Sequence, residues 1–101
     1  MVVVHVKHYL NNNGILFFNE WFINISKILK SQDGFISIGY GQDKKNISCM
    51  SVLLKFENEE KLSIWGKSRL HDLEVSKLDP YRIRPYEATR INLINIIKNE
   101  N

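Results

Sequence analysis

The sequence predicts an α+β fold in which four short strands form one antiparallel sheet and the helical elements cover one of its faces. Two observations predict it. Residues 2–10 and 35–56 are rich in β-branched and aromatic residues and are interrupted by polar, turn-forming stretches, as strands and their turns are. Residues 15–30 instead place apolar side chains three and four positions apart, which is the period of an amphipathic helix.

The first predicted strand covers residues 2–10 and ends at a turn-forming run, residues 11–14. Alternate side chains of a strand point to opposite faces of the sheet. One face of this strand carries Val2, Val4, Val6, His8 and Leu10, and the other carries Val3, His5, Lys7 and Tyr9. We expect the apolar first face to be buried and the mixed second face to line a cavity.

The predicted helix over residues 15–30 has one apolar side, formed by Phe18, Trp21, Phe22, Ile25 and Leu29. Its opposite side is polar, so we interpret the aromatic side as core that packs on the sheet rather than as a platform for a ligand. The helix is expected to stop before Gly34.

Residues 35–42 and 47–56 form the second and third predicted strands, and the polar residues 43–46 join them as a hairpin. Two glycines near the end of the second strand indicate either a bulge or a place where a ligand comes close to the backbone. Alternation places Phe35, Ser37 and Gly39 on one face, and Ile36, Ile38 and Tyr40 on the other.

Two short helices and a fourth strand complete the domain. Asn58 is positioned to cap the first helix and Ser68 to cap the second. The last strand is predicted over residues 86–94. One domain therefore covers residues 1–94, and residues 95–101 are expected to form a frayed C-terminal tail.

The order strand, helix, strand, strand, helix pair, strand is that of a ferredoxin-like fold. The sheet face opposite the helices needs a cover, because the apolar side chains assigned to it would otherwise meet water. Those side chains are Val2, Val4, Val6, Ile36 and Ile38. A second copy packed sheet to sheet is the simplest cover, so we predict a homodimer, a dimeric α+β barrel.

Composition excludes several classes of protein. The 101 residues are 44% hydrophobic and 25% charged, which is typical of a globular domain. The longest apolar runs have about four residues, far short of the roughly 20 that cross a bilayer, so we expect no membrane partner and no secretory signal. A single cysteine, Cys49, excludes an internal disulfide and agrees with a cytoplasmic location.

The net charge of +3 raises the question of nucleic-acid binding. Basic residues are scattered among acidic ones, so they form no stripe that would neutralise many phosphates. The RNA-binding RRM domain has the same element order, and Gly34, Phe35, Ile38 and Tyr40 partly match its main motif. Asp33 stands where that motif has a basic residue, and the match lies on the second strand instead of the third. We therefore expect no nucleic-acid partner.

Several pieces of the sequence together resemble one family. They are the valine-rich first strand, the aromatic helix, Gly34-Phe35 at the start of the second strand, and Trp65 followed by Ser68-Arg69-Leu70-His71. In this combination the chain resembles the antibiotic biosynthesis monooxygenases, which are dimeric α+β barrel proteins. The resemblance covers nearly the whole chain, and the order of the elements contributes as much to it as the residues do.

The resemblance implies oxygenation without metal or flavin, in which an ionised aromatic or quinol-like substrate supplies the electrons to dioxygen. Such a protein needs a dry pocket, a group that takes a proton and donors for an oxyanion. Trp65 and His71 are the predicted catalytic residues, because His71 falls on the inward arc of its helix and an imidazole suits proton transfer. The predicted substrate-binding residues are His5, Lys7, Tyr9, Ser37 and Gly39. If the other face of the first strand meets the helices, His8 takes the place of His5, Lys7 and Tyr9 in this set.

Other interpretations stay open. His71 also fits the pattern of a hydrogen-bonded core histidine. A haem-degrading monooxygenase of the same superfamily is an alternative, although Lys7 stands where those enzymes have an asparagine and the interval from Trp65 to His71 is shorter than theirs. A non-enzymatic dimer that binds a small ligand is a third, because no strong catalytic constellation stands out. We predict no cofactor, with haem as the alternative, and a small molecule and a second copy as partners.

Overall fold

A computed structural model describes residues 1–99 of the protein. Its elements, in chain order, are β1 (Val2–Leu10), α1 (Asn12–Leu29), β2 (Phe35–Gln42), β3 (Cys49–Phe56), α2 (Glu59–Gly66), α3 (Arg69–Ser76), a 3₁₀ turn (Asp79–Tyr81) and β4 (Arg82–Asn92). The order of strands and helices is the predicted one. No helix among residues 1–99 is long and apolar enough to cross a membrane.

The four strands form one antiparallel sheet in the order β2-β3-β1-β4. β1 is therefore an inner strand, with Val4 opposite Leu54 of β3 and Val6 opposite Ala88 of β4. The buried residues of α1 and α2 form one core with a single face of this sheet. The prediction of an α+β, ferredoxin-like fold with helices on one face is confirmed.

The core between sheet and helices contains the apolar side of α1 that its period predicts. Phe18, Trp21, Ile25 and Leu29 are buried there. The indole N–H of Trp21 donates to the backbone oxygen of Glu74 at 2.8 Å, and this bond ties α1 to α3. A buried indole N–H that has such a partner avoids the cost of a lost hydrogen bond, so Trp21 belongs to the scaffold.

The element boundaries differ from the predicted ones for local reasons. α1 begins at Asn12, ahead of the predicted residue 15, because the Asn11 side chain accepts from the Gly14 N–H at 2.9 Å and caps the helix. β4 includes Pro85, which an edge strand tolerates. Residues 93–99 have no regular secondary structure. The end of the predicted tail, residues 100–101, lies outside the described residues.

The two faces of the sheet are the reverse of the expected ones. Val2, Val4 and Leu10 are buried beneath the helices of a single chain, and His8 shares their face. The prediction that this face meets a second copy is therefore wrong. Alternation groups the residues of a strand into two faces, but it does not tell which face meets the helices.

A register irregularity in β2 changes a second prediction. The ladder with β3 passes from Phe35 to Ser37, so Ile36 is the extra residue of a bulge and is 42% exposed. Phe35 consequently packs on the core with Ile38, instead of sharing a face with Ser37. The glycines of this strand were expected to indicate either a bulge or a ligand close to the backbone. The structure contains a bulge, but it lies at Ile36, ahead of the glycines.

Candidate active site

A cavity of about 240 Å³ lies between the helix side of the sheet and helices α1, α2 and α3. Most of its wall is aliphatic or aromatic. The few polar side chains that reach it come from different elements: His8 from β1, His71 from α3, and Tyr86 and Arg90 from β4. An apolar wall with a small number of placed polar groups is the usual composition of a ligand pocket.

His8 lies on the sheet side of this cavity. Its ring is 3% exposed and is surrounded by the rings of Phe18, Trp21 and Tyr86, with centroid distances of 5.9, 5.6 and 5.6 Å. Its one described hydrogen bond joins Nδ1 to Nη1 of Arg82 at 3.0 Å. Within residues 1–99, Nε2 of His8 therefore remains available to a molecule in the cavity.

The Arg82 contact determines which ring nitrogen of His8 carries a proton. A guanidinium donates hydrogen bonds and accepts none, so Nδ1 of His8 is the acceptor. The neutral ring then carries its proton on Nε2. Burial, and secondly the positive charge of Arg82, lower the pKa of His8 from 6.5 to about 4, so the ring is neutral at pH 7.

Arg82 is held in place by groups on several elements. Its Nε donates to Oδ1 of Asp79 at 2.8 Å and its Nη2 donates to the backbone oxygen of Val75 at 3.4 Å. Its guanidinium carbon lies 5.0 Å from the centre of the Tyr86 ring. Because the 3₁₀ turn, α3 and β4 all contact this side chain, the fold fixes its direction toward His8.

Trp65 and His71, the two predicted catalytic residues, meet on the helix side of the same cavity. Trp65 is in the last turn of α2 and His71 is in the first turn of α3, and their rings lie edge to face at 5.4 Å. Ser68 connects them: its hydroxyl donates to the Trp65 carbonyl at 2.7 Å and accepts from the His71 backbone N–H at 3.1 Å. The structure thus brings this pair and His8 together around one space.

In the neutral ring of His71, the proton is on the other nitrogen from the one that carries it in His8. Its Nδ1 lies 3.0 Å from Oδ1 of Asp72. A carboxylate accepts hydrogen bonds, so Nδ1 carries the proton and Nε2 of the neutral ring keeps a lone pair. The His71 side chain is 25% exposed and borders the cavity. One histidine can therefore donate to a bound molecule and the other can accept from it.

Tyr86 and Arg90 are site residues that the sequence analysis missed. Arg90 pairs with Val4 in the ladder between β1 and β4, and Val4 faces the helices, so Arg90 reaches the cavity as well. Its guanidinium forms an ion pair with Glu59 and reaches the Ser63 hydroxyl at 3.4 Å. The alternation of β4 indicates that residues 86, 88 and 90 share a face, but only the register with β1 shows which face that is.

The five predicted substrate-binding residues do not line this cavity. His5, Lys7, Tyr9, Ser37 and Gly39 lie on the opposite face of the sheet, so the alternative in which His8 faces the helices is the one that the structure has. His5 and Gly39 border a shallower depression of about 510 Å³ on that outer face. The Tyr9 hydroxyl donates to Glu87, which accounts for its polar atom without a substrate.

The helix-side cavity offers little enclosed room for haem. An apolar cavity of about 150 Å³ holds one benzene ring, so about 240 Å³ is too small for a macrocycle of four pyrrole rings. Among residues 1–99, no three His, Cys, Asp or Glu side chains are grouped as ligands for a metal ion.

Solved structures of other proteins share this architecture over nearly the whole chain. A Deinococcus radiodurans protein assigned provisionally to the antibiotic biosynthesis monooxygenases is 11% identical, with a TM-score of 0.85 over 100% of both chains. A variant of SnoaB, described as a cofactor-independent oxygenase from Streptomyces nogalater, is 8% identical, with a TM-score of 0.82 over 97% of both chains. A conserved protein from Methanosarcina mazei is 16% identical, with a TM-score of 0.80 over 89% of both chains.

The chain has the fold of the antibiotic biosynthesis monooxygenases. This agrees with the resemblance that the sequence shows around Gly34 and from Trp65 to His71. Identities this low concern the fold alone, and one fold hosts many reactions. No protein-family model matches the sequence, and no curated relative does. Within the antibiotic biosynthesis monooxygenase fold, the reaction has to be inferred from the cavity and its side chains.

Proposed function

We propose that the protein is a cofactor-independent monooxygenase that acts on a small aromatic or quinol-like substrate in the helix-side cavity. The observation that carries the proposal is the cavity itself, a mostly apolar space of about 240 Å³ that is lined in part by Trp65 and His71. The description of SnoaB as a cofactor-independent oxygenase supports it, because SnoaB has the same fold.

The proposed reaction needs no electron carrier, because the substrate is the reductant. A phenolic hydroxyl loses its proton, and the ring carbon para to it then bonds to dioxygen. One oxygen atom stays on that carbon as the second carbonyl of a quinone, and the other leaves as water with two hydrogens from the substrate. The electrons that reduce dioxygen come from the ring.

Two residues have roles in this proposal. His71 takes the hydroxyl proton on Nε2, the ring nitrogen that Asp72 leaves with a lone pair. Trp65 is 3% exposed and closes the helix side of the cavity, so it keeps water from the anion. The indole N–H of Trp65 has no hydrogen bond among the described residues and is available as a donor.

The proposal includes a homodimer formed through the outer face of the sheet. From the sequence, a different set of side chains was expected in the dimer contact. Leu53 and Ile91 are 51% and 53% exposed on that face, and Nε2 of His5 is buried there without a hydrogen-bond partner. A partner that covers these groups would remove apolar surface from water and offer an acceptor or donor to His5. A cytoplasmic location, with which the single cysteine agrees, stays a prediction.

Oxygen uptake tests the proposed function. The purified protein is given a panel of naphthols, quinols and anthrones, and dissolved oxygen is followed with an electrode. We expect uptake above the spontaneous rate, and a fall of about 100-fold or more in His71→Ala, since a general base contributes roughly that much. Ser76→Ala is the matched control, because it removes an exposed polar group from the same helix as His71, and it should leave the uptake unchanged.

Three results would contradict parts of this proposal. Equal uptake by wild type and His71→Ala, with both folded by circular dichroism, would remove His71 as the base. No uptake with any member of the panel would contradict the oxygenase. Tight binding of an aromatic without uptake would favour the alternative, a non-enzymatic protein that binds a small ligand.

A further inference from the structure

Solvent reaches the helix-side cavity along β4. The wall residues that β3 and α1 supply are buried, and those of α3 are partly exposed. All three that β4 supplies are exposed, namely Tyr86, Ala88 and Arg90. β4 is an edge strand of the sheet, so no other strand lies beyond it. The entrance to the cavity therefore lies between β4 and the helices α2 and α3.

Two arginines of β4 reach across this entrance. Nη2 of Arg82 donates to the backbone oxygen of Val75 in α3 at 3.4 Å, and Arg90 forms an ion pair with Glu59 in the first turn of α2. Eight positions separate the two arginines, which corresponds to roughly 26 Å of extended strand. The entrance is thus bridged toward each end of β4.

The side chain of Arg90 follows one side of α2. Its Nη1 contacts Glu59 and lies 3.4 Å from the Ser63 hydroxyl, which is one turn further along the helix. Its Nη2 lies 3.9 Å from the position that a Cβ on Gly66 would take, in the last turn. Gly66 itself lines the cavity. The guanidinium therefore lies at the side of the entrance that α2 forms.

The two bridges differ in how firmly they are held. The Arg82 side chain is 12% exposed and also contacts His8 and Asp79, so it is fixed from several directions. The side chains of Arg90 and Glu59 are 48% and 58% exposed. An ion pair this exposed is weak, and salt weakens it further. The Arg90 bridge is therefore the one that opens more readily.

We propose that the ion pair between Arg90 and Glu59 is the gate of the helix-side cavity. While the pair is formed, the arginine side chain ties β4 to α2 and narrows the entrance. When it breaks, the side chain turns into solvent and a small molecule passes between the strand and the helix. The inference rests on the proposed function in one respect, because it takes this cavity as the ligand site.

A gate of this kind has a kinetic signature. The pair is closed in both the empty and the occupied protein, so its removal lowers the barriers to entry and to exit by the same amount. Both rate constants then rise while the dissociation constant stays the same. A residue that only shapes the site, or that contacts the ligand, changes the dissociation constant instead.

Fluorobenzene is a suitable probe, because it is uncharged and has a single ring. A cavity of about 150 Å³ holds benzene, so the cavity of about 240 Å³ has room for it. The line shapes of its ¹⁹F NMR signal give the exit rate constant and the affinity, and the two together give the entry rate constant. The indole N–H signals of Trp21 and Trp65, which both line the cavity, identify binding at this place.

Glu59→Gln removes the charge that holds Arg90. We expect both rate constants to rise about two- to fivefold, the range that an exposed ion pair allows, while the dissociation constant changes by less than about 1.5-fold. Glu60→Gln is the matched control. Glu60 is an exposed carboxylate in the same turn and forms no ion pair within residues 1–99, so this variant should have the rates of wild type.

Salt provides a second test, without a substitution. Raising NaCl from about 20 mM to about 500 mM shortens the Debye length to a few ångströms, so the rates of wild type should approach those of Glu59→Gln. Because the probe has no charge, the rates of Glu59→Gln itself should not depend on salt.

Unchanged rates in Glu59→Gln, or an equal rise in Glu60→Gln, would overturn the inference. So would a change confined to the dissociation constant, or a failure of fluorobenzene to enter the cavity. Oxygen uptake judges the oxygenase separately. If the gate behaves as expected and no member of the panel is oxidised, the proposed reaction fails and the gate stands. If uptake occurs and the probe's rates do not depend on Glu59, only the gate fails.

Discussion

His8 shows how surroundings decide the chemistry of a side chain. An exposed histidine near pH 7 exchanges protons readily, but this one is enclosed by aromatic rings and accepts a hydrogen bond from Arg82. Its pKa of about 4 removes it from acid–base work at neutral pH and leaves it as a donor of fixed direction. His71, beside a carboxylate and partly exposed, keeps the complementary nitrogen available.

The low pKa of His8 predicts a pH dependence of stability. Between pH 6.5 and about 4 the unfolded chain binds a proton on His8 that the folded protein does not, so stability falls as the pH falls through this window. A shift of this size corresponds to roughly 3 kcal/mol of free energy of unfolding at most.

Urea denaturation at pH 7, 6, 5 and 4 measures this dependence of stability on pH. His8→Gln is the reference, because other groups also titrate in this range. We expect the stability of wild type to fall toward that of the variant, or below it, as the pH decreases. Parallel curves for the two proteins would show that His8 keeps an ordinary pKa.

At the scale of elements, the junction between α2 and α3 positions the catalytic candidates. Ser68 is the N-cap of α3, and its hydroxyl also donates to the Trp65 carbonyl at the end of α2. One side chain therefore ends one helix and begins the next, while Trp65 and His71 project from the two sides of the junction. The spacing Trp65, Ser68, His71 is a consequence of this local geometry.

Ser68→Ala should lower the free energy of unfolding by about 1 kcal/mol, the usual cost of losing an N-cap. Ser76→Ala is the matched control, because its hydroxyl donates within α3 to the Leu73 carbonyl and is exposed; we expect a change within about 0.5 kcal/mol. Thermal or urea unfolding of the two variants gives the comparison. Equal losses would mean that the Ser68 cap contributes nothing particular to this junction.

At the scale of the whole molecule, the sheet has one face for the core and one that a single chain leaves open. The helix-side face contains the cavity and most of the buried residues. The outer face exposes Leu53 and Ile91, whereas Tyr9 and Cys49 are already buried within the chain. The proposed homodimer would form through this second face, so it would leave the helix-side cavity intact.

Light scattering should give about twice the chain mass of 11.9 kDa. Leu53→Lys places a charge in the middle of the proposed contact and should shift the protein toward the monomer. Leu16→Lys makes the same change on α1, where Leu16 is 81% exposed and away from the sheet, and should leave the mass unchanged. A monomeric wild type, or equal behaviour of the two variants, would contradict the outer-face dimer.

Much of the fold was predictable because it is encoded locally. The period of α1, the caps at Asn58 and Ser68 and the four strand segments each depend on neighbours in sequence. Neighbours in sequence do not decide which face of β1 meets the helices, although the composition of the two faces indicates it. The face with Val2, Val4 and Val6 is the more apolar, and a single chain buries that face first.

The site was predictable only in part, for a related reason. Trp65 and His71 lie in one local segment, whose helical pattern already turned His71 inward. The contact that defines His8 joins residues 74 positions apart, through a strand pairing with a register shift between Lys7 and Tyr9. No pattern within β1 or β4 contains that pairing.

The contact between Arg82 and His8 also has a consequence for the order in which the protein is made. β1 is the first strand of the sheet to leave the ribosome and β4 is the last. Until residue 82 has been synthesised and has folded against β1, nothing fixes the proton of His8. The nascent chain therefore carries the histidine as an ordinary, protonatable ring while the residues between β1 and β4 are made, and the ring acquires its final chemistry only when the sheet closes.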